Sequence, residues 1–210
     1  MPLRHGLLLN RYWTKREWSC NLNVYLLQLF LSEEIILSVV IYFSRKHENF
    51  INGEIKQLAI GNTAIMAKKI SEKIGAELIE IFPVQEHPPE YERMVELAMS
   101  EKKRQERPKY QNLSVNSETS NVIFLGFPNW CGTFPMIIAS FLEDNDFSNK
   151  TIYPFCTHEG SAFGSSMTDL KKLCPNSIIK QGLPVRGSRV NKSDKAIDSW
   201  LNQYQEYGGM

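Results

Sequence analysis

Residues 121–156, NVIFLGFPNWCGTFPMIIASFLEDNDFSNKTIYPFC, hold one full repeat of the architecture. Residues 122–127 are an uninterrupted apolar run, the pattern of a strand covered on both faces. A loop rich in Pro and Gly follows. Pro135 then stands at the favoured opening position of a helix that runs to about Glu143. Residues 151–156 form a second apolar strand. Two such strands joined through a helix make a crossover unit, which places the strands parallel.

The alternation continues on both sides. Residues 35–43, IILSVVIYF, predict another strand buried on both faces. Ile65, Met66, Ile70 and Ile74 recur at helical spacing over residues 64–74, and Gly75 is a stop signal. Residues 77–82 predict a short strand ended by Pro83. Residues 91–106 predict a charged helix with Met94, Val95, Ala98 and Met99 toward one side. After residue 156 come a helix over 165–173, a weak strand over 178–185 and a last helix over 193–207, with Ile197, Trp200, Leu201 and Tyr204 at core spacing. Five strands alternating with helices predict an α/β domain over residues 35–207, a parallel sheet with helices on both faces. In such sheets a ligand sits at the carboxyl ends of the strands.

Composition narrows the function. With 24 Lys+Arg against 23 Asp+Glu in 210 residues, the chain is neither a strongly basic nucleic-acid binder nor a highly charged disordered polymer. Its four cysteines, Cys20, Cys131, Cys156 and Cys174, have neither disulfide-framework nor metal-ligand spacing, so no metal site is expected and a reducing cytoplasm is the expected location. The apolar runs 22–31 and 35–43 are interrupted by Ser32-Glu33-Glu34, and each is about half the roughly 20 residues of a transmembrane helix, so no membrane span is expected. Arg4, Arg11, Lys15 and Arg16 precede the first run as in a signal peptide, but a small-residue cleavage site is missing. Residues 1–34 are therefore expected to be an extension appended to the domain. The runs Lys102-Lys103-Arg104 and Glu143-Asp144-Asn145-Asp146 are expected on solvated surface. Rossmann and Walker glycine patterns are absent.

Three segments after strands carry the functional signal. Ser44-Arg45 follows the first strand, and Gly61-Asn62-Thr63-Ala64 enters the next helix. Small polar residues at a helix N-terminus make an anion site, although Asn and Thr are also ordinary caps. The loop Pro128-Asn129-Trp130-Cys131-Gly132-Thr133 places a Trp at a sheet edge, either to cover something flat or to fold back on the core. Thr157-His158-Glu159-Gly160-Ser161, with Gly164 beyond, offers backbone N–H groups and hydroxyls to a polar ring edge. The order of the three loops suits a planar heterocycle with a terminal phosphate.

Residues 124–176, which include THEGSAFGSS, and GLPVRGSRV at 182–190 resemble the flavodoxin family of FMN proteins, in the branch that reads T-H-G-G-S-G-F-G-S-S. The resemblance spans about residues 35–201. It implies a flavodoxin-like five-stranded parallel sheet of order 2-1-3-4-5 and non-covalent FMN. It implies that Ser44, Asn62 and Thr63 hold the phosphate, with Arg45, Gly61 and Ala64 beside them. Residues 128–133 would flank the isoalloxazine, with Trp130 stacking on it, and residues 157–164 would edge the pyrimidine and N5. The chain departs from the family in three places. The usual compact S/T-x-T-G-N-T loop is split by residues 46–60, which carry Asn52-Gly53 between apolar residues, a type I′ hairpin signal. Cys131 stands where the branch often has a second Trp. Glu159 replaces a common Gly and is expected to point to solvent.

The implied activity is redox chemistry supplied by FMN, so no catalytic side chain is nominated. It takes one of two forms: electron transfer to a redox partner protein, or NAD(P)H-dependent reduction of a quinone-type small acceptor. Near-neutral charge argues against the dedicated carrier, which is steered by strong acidity. The alternative is a flavodoxin-like interaction module that has lost FMN. All three loops lie downstream of Phe43. A protein beginning at Glu34 is therefore expected to fold and retain FMN, and a colourless or insoluble product would show that the extension belongs to the domain.

Overall fold

In β1 (Ser38–Tyr42) successive side chains after Ser38 alternate between two buried layers, which is why residues 39–43 are apolar. Val39, Ile41 and the following Phe43 pack in one layer with Ile137, Phe141 and Leu170. Val40 and Tyr42 pack in the other with Met66, Ile70, Ile197 and Trp200. The structure, a computed structural model, describes residues 38–113 and 120–205; the expectations for residues 1–34 lie outside them.

After β1 the chain forms a hairpin, β2 (His47–Ile51) and β3 (Glu54–Leu58), and then α1 (Asn62–Ile74), β4 (Glu77–Glu80) and α2 (Tyr91–Arg104). There follow β5 (Val122–Pro128), α3 (Met136–Asp144), β6 (Thr151–His158), α4 (Ser166–Leu173), β7 (Ile178–Ile179) and β8 (Leu183–Arg186). A 3₁₀ turn (Gly187–Lys192) and α5 (Asp194–Gln205) close the domain. The main sheet runs β4-β1-β5-β6, with β7 and β8 both beside β6 and every pairing parallel. This is the 2-1-3-4-5 order, with α1 and α5 on one face and α3 and α4 on the other.

The fifth strand is split, where the sequence predicts one weak strand over 178–185. Ile178 N–H donates to Lys150 O (2.9 Å) and Lys180 N–H to Ile152 O (2.9 Å). The next rung of that ladder calls for an N–H at residue 154, and Pro154 has none. Pairing with β6 resumes only at Phe155 opposite Leu183.

The insert forms the expected hairpin. Asn52 and Gly53 both have positive φ (58° and 87°) between paired Ile51 and Glu54, as a type I′ turn requires. β2 and β3 make a separate two-stranded sheet. The base of this sheet is fixed to the start of α2. The buried Arg45 guanidinium donates to the carbonyls of Pro88 (2.8 Å) and Pro89 (2.9 Å), and to that of Glu48. The Glu48 carboxylate accepts the Tyr91 N–H (2.8 Å), and the Phe50 ring stacks on Tyr91 at 6.0 Å.

In the middle of the sheet Gly126 of β5 lies opposite Phe155 of β6, whose ring fills the space a side chain would need. A Cβ at 126 would fall 2.1 Å from the Phe155 ring. Gly126→Ala is expected to cost about 1–3 kcal/mol of stability, the range for overpacking a closed core. A urea midpoint equal to that of the parent would refute this.

Candidate functional site

The carboxyl ends of β1, β5 and β6 open into one cleft of about 490 Å³. Its floor is built from three loops that hydrogen bonds tie together. Thr63, in the first turn of α1, shares a buried 2.7 Å hydroxyl–hydroxyl bond with Thr157 at the end of β6. Asn129 N–H donates to Thr157 O (2.8 Å), and its side-chain amide donates to Ala162 O (2.7 Å).

At one end of the cleft is the N-terminus of α1. No side chain of its N-cap residue, Gly61, satisfies it, and its first turn holds no acidic residue. Ser44 Oγ accepts the Ala64 N–H (3.1 Å) from outside the helix. A Cβ on Gly61 would fall 2.2 Å from Ser44 Oγ, so the two halves of the split loop touch only because residue 61 is Gly. The helix dipole and the N–H groups of residues 62 and 63 suit an anion there. Ser44, Asn62 and Thr63 line the cleft, whereas Gly61 and Ala64 lie behind it. Arg45 lines it too, but its terminal nitrogens serve the carbonyls of the hairpin base.

The aromatic loop is a tight turn. Trp130 and Thr133 exchange backbone hydrogen bonds (2.7 and 3.2 Å), and Cys131 and Gly132 between them have φ of 54° and 86°. Asn129 Oδ1 accepts the Gly132 N–H (3.0 Å), and Lys102 Nζ donates to the Cys131 carbonyl (2.6 Å). Lys102, read in the sequence as a solvated charge, thus holds the loop. Trp130 is half-buried and meets the edges of Phe43 (5.3 Å) and His87 (5.4 Å), so it both covers the core and lines the cleft. Pro128, Asn129, Cys131 and Gly132 line the cleft as well. Thr133 does not: it is buried and donates to Asp169 Oδ2 (2.9 Å) at the start of α4.

In the third loop Thr157, His158, Glu159, Gly160 and Ser161 reach the cleft, and Gly164 lies outside it. Gly164 has another role: a Cβ there would fall 2.1 Å from Gly132 O, and Ser165 N–H donates to that same carbonyl (2.8 Å). His158 Nδ1 is buried on the cleft wall with no partner among the described residues, an arrangement that suits a polar ligand edge. Burial, then Arg186, holds its imidazole below the ordinary value, against a smaller opposing pull from Glu159. Glu159 is partly exposed, and at the surface its carboxylate accepts N–H groups from Asn52 (3.3 Å) and Ser188 (3.1 Å).

The outer wall is missing from the sequence reading. Asn49 and Phe50 of the hairpin, Tyr91, Met94, Val95 and Ala98 of α2, and Gly187 all face the cleft. The α2 set has regular helical spacing, which reads equally as a core face. Burial and the neighbouring Cys131 raise the Tyr91 phenol. Among the described residues there is no His, Cys, Asp or Glu cluster able to hold a metal, and no helix long and apolar enough to cross a membrane.

A family model described as flavodoxin matches residues 57–204, beginning inside the hairpin. A candidate flavoprotein from Bacteroides eggerthii is 30% identical, with a TM-score of 0.62, over 79% of this chain and 96% of its own. A second, from Bacteroides uniformis, is 24% identical with a TM-score of 0.61, over 79% and 97%. A Lactobacillus acidophilus flavoprotein solved in complex with FMN is 18% identical with a TM-score of 0.58, over 78% and 97%, and shares the fold. None of the curated proteins matches the chain.

His87, behind Trp130, gives a pH test of this wall. Burial, then Arg45, pushes its imidazole from 6.5 to about 4. The unfolded chain therefore takes up the proton first, and stability is lost as pH falls from 6.5 to about 4. Glu101, raised to about 7 by burial and by Glu106, acts in the opposite direction over an overlapping range. The difference between parent and His87→Phe therefore isolates the histidine. The variant is expected to lose less stability than the parent over that range, read as denaturant midpoints at stepped pH. Parallel curves would refute the assignment.

Proposed function

The chain belongs to the flavodoxin family, and from that premise we propose that it binds FMN non-covalently at the carboxyl edge of the sheet and acts there as a redox protein. The observation that carries this reading is the presence, in one cleft, of a helix N-terminus without a side-chain cap from Gly61 and a slot walled by Trp130 and Tyr91. The FMN found in the Lactobacillus acidophilus protein of the same fold supports it.

Bound FMN supplies the one-electron and hydride chemistry. Ser44, Asn62, Thr63 and the first-turn N–H groups of α1 hold the phosphate, without a phosphate-binding arginine, because Arg45 is engaged by the hairpin base. Trp130 and Cys131 flank the ring. His158 and the backbone of residues 159–161 edge its polar side. Gly61, Ala64, Thr133 and Gly164 support these groups from behind. The near-neutral surface favours NAD(P)H-dependent reduction of a quinone-type acceptor over service as a dedicated carrier, and the protein works in a reducing cytoplasm.

Mass spectrometry of the purified protein is expected to find FMN, and stopped-flow mixing with NADPH alone is expected to bleach the flavin. Bleaching that requires a reductase protein would favour the carrier, and a colourless protein that takes up no FMN would favour the interaction module. Trp130→Ala is expected to weaken oxidised FMN by about 0.5–1.5 kcal/mol, the range for an aromatic stack. It should also raise the reduction potential and relieve flavin fluorescence quenching. If affinity, potential and fluorescence all stay the same, Trp130 serves the core alone.

A further inference from the structure

Two of the three features singled out in the sequence, the insert after β1 and Glu159, meet in space. Asn52 N–H, at the turn of the hairpin, donates to Glu159 Oε2 at 3.3 Å, and Ser188 N–H, in the 3₁₀ turn, donates to Glu159 Oε1 at 3.1 Å. One carboxylate therefore spans from the hairpin tip to the body of the domain. A Cβ on Gly187 would fall 2.6 Å from Glu159 Oε1 and 2.3 Å from Asn62 Nδ2, so the bridge lies against the N-terminal residue of α1.

The two ends of the hairpin are held differently. Arg45 and Glu48 anchor its base to residues 88–91 through several hydrogen bonds, and the Phe50 ring, farther along the strand, stacks on Tyr91. Among the described residues, Glu159 alone holds the tip to the domain by a hydrogen bond. Asn49 and Phe50, between the two anchors, line the same cleft as Asn62 and Glu159. An element fixed at one end and tied by a single side chain at the other opens at the tied end first.

We propose that Glu159 is a positioning residue that latches the hairpin across the phosphate end of the cleft, so that FMN enters and leaves when the Asn52–Glu159 contact breaks. The proposal rests on the FMN reading. Glu159 contributes an acceptor, which holds the tip, and a charge, which repels the phosphate beside it. Two variants separate these roles. Glu159→Gln removes the charge and keeps one acceptor oxygen; Glu159→Ala removes both.

The test measures FMN dissociation from the full-length protein by stopped-flow fluorescence, and amide exchange at Asn52 and Ser188 in flavin-free protein. E159A is expected to release and take up FMN about fivefold faster than E159Q, the rate equivalent of one net hydrogen bond. Asn52 exchange is expected to be faster in E159A than in the parent. Equal rates in the two variants overturn the latch, as does Asn52 exchange unchanged by E159A. Failure of a parent chain to bind FMN overturns the cofactor reading. The exchange experiment, run without flavin, still decides whether Glu159 holds the hairpin.

Discussion

A strand hydrogen-bonded on both sides within a parallel sheet has no solvated face, and the rest of the structure follows from covering β1, β5 and β6. Each return to the amino edge must cross over as a helix, and the helices supply the two apolar layers. The segments that leave the strands at the carboxyl edge are released from that requirement. They can spend side chains on a ligand, and the Thr63–Thr157 bond lies where two of them meet.

The sequence reveals whatever depends on periodicity or on a local turn. The apolar runs of β1 and β5, the Asn52-Gly53 turn and the starts of α1 and α3 are all set by neighbouring residues. The break in the fifth strand is not: it arises because Pro154 lacks a donor that a different strand needs. The orientation of Glu159 is equally hidden, because its partners stand at residues 52 and 188. Met94, Val95 and Ala98 face the cleft with the same spacing that buries a core helix, so periodicity marks the face without saying what it meets. The floor of the site was legible because its residues follow strands directly; the outer wall was not, because it comes from a helix and an insertion.

The insertion also shows how the two halves of a loop can be divided by a hairpin and still close. Ser44 and Gly61 are separated by the whole hairpin, yet a Cβ on Gly61 would strike Ser44 Oγ. Arg45 makes this possible. By binding the carbonyls of residues 88 and 89, it turns the chain aside immediately after Ser44 and sends the extra residues toward α2. A positive charge beside the N-terminus of α1 thus serves architecture.

The contact between Gly132 and Gly164 has a mechanical consequence. The carbonyl of one residue accepts the N–H of Ser165, and the missing side chain of the other lets the two backbones touch. The aromatic loop and the Gly/Ser loop are therefore one stiff rim made of two segments, with Asp169 bracing both through Thr133 and Ser165. Any force on one segment is shared by the other. Movement along this side of the cleft is therefore shared by both loops, through Gly132, Gly164 and Asp169.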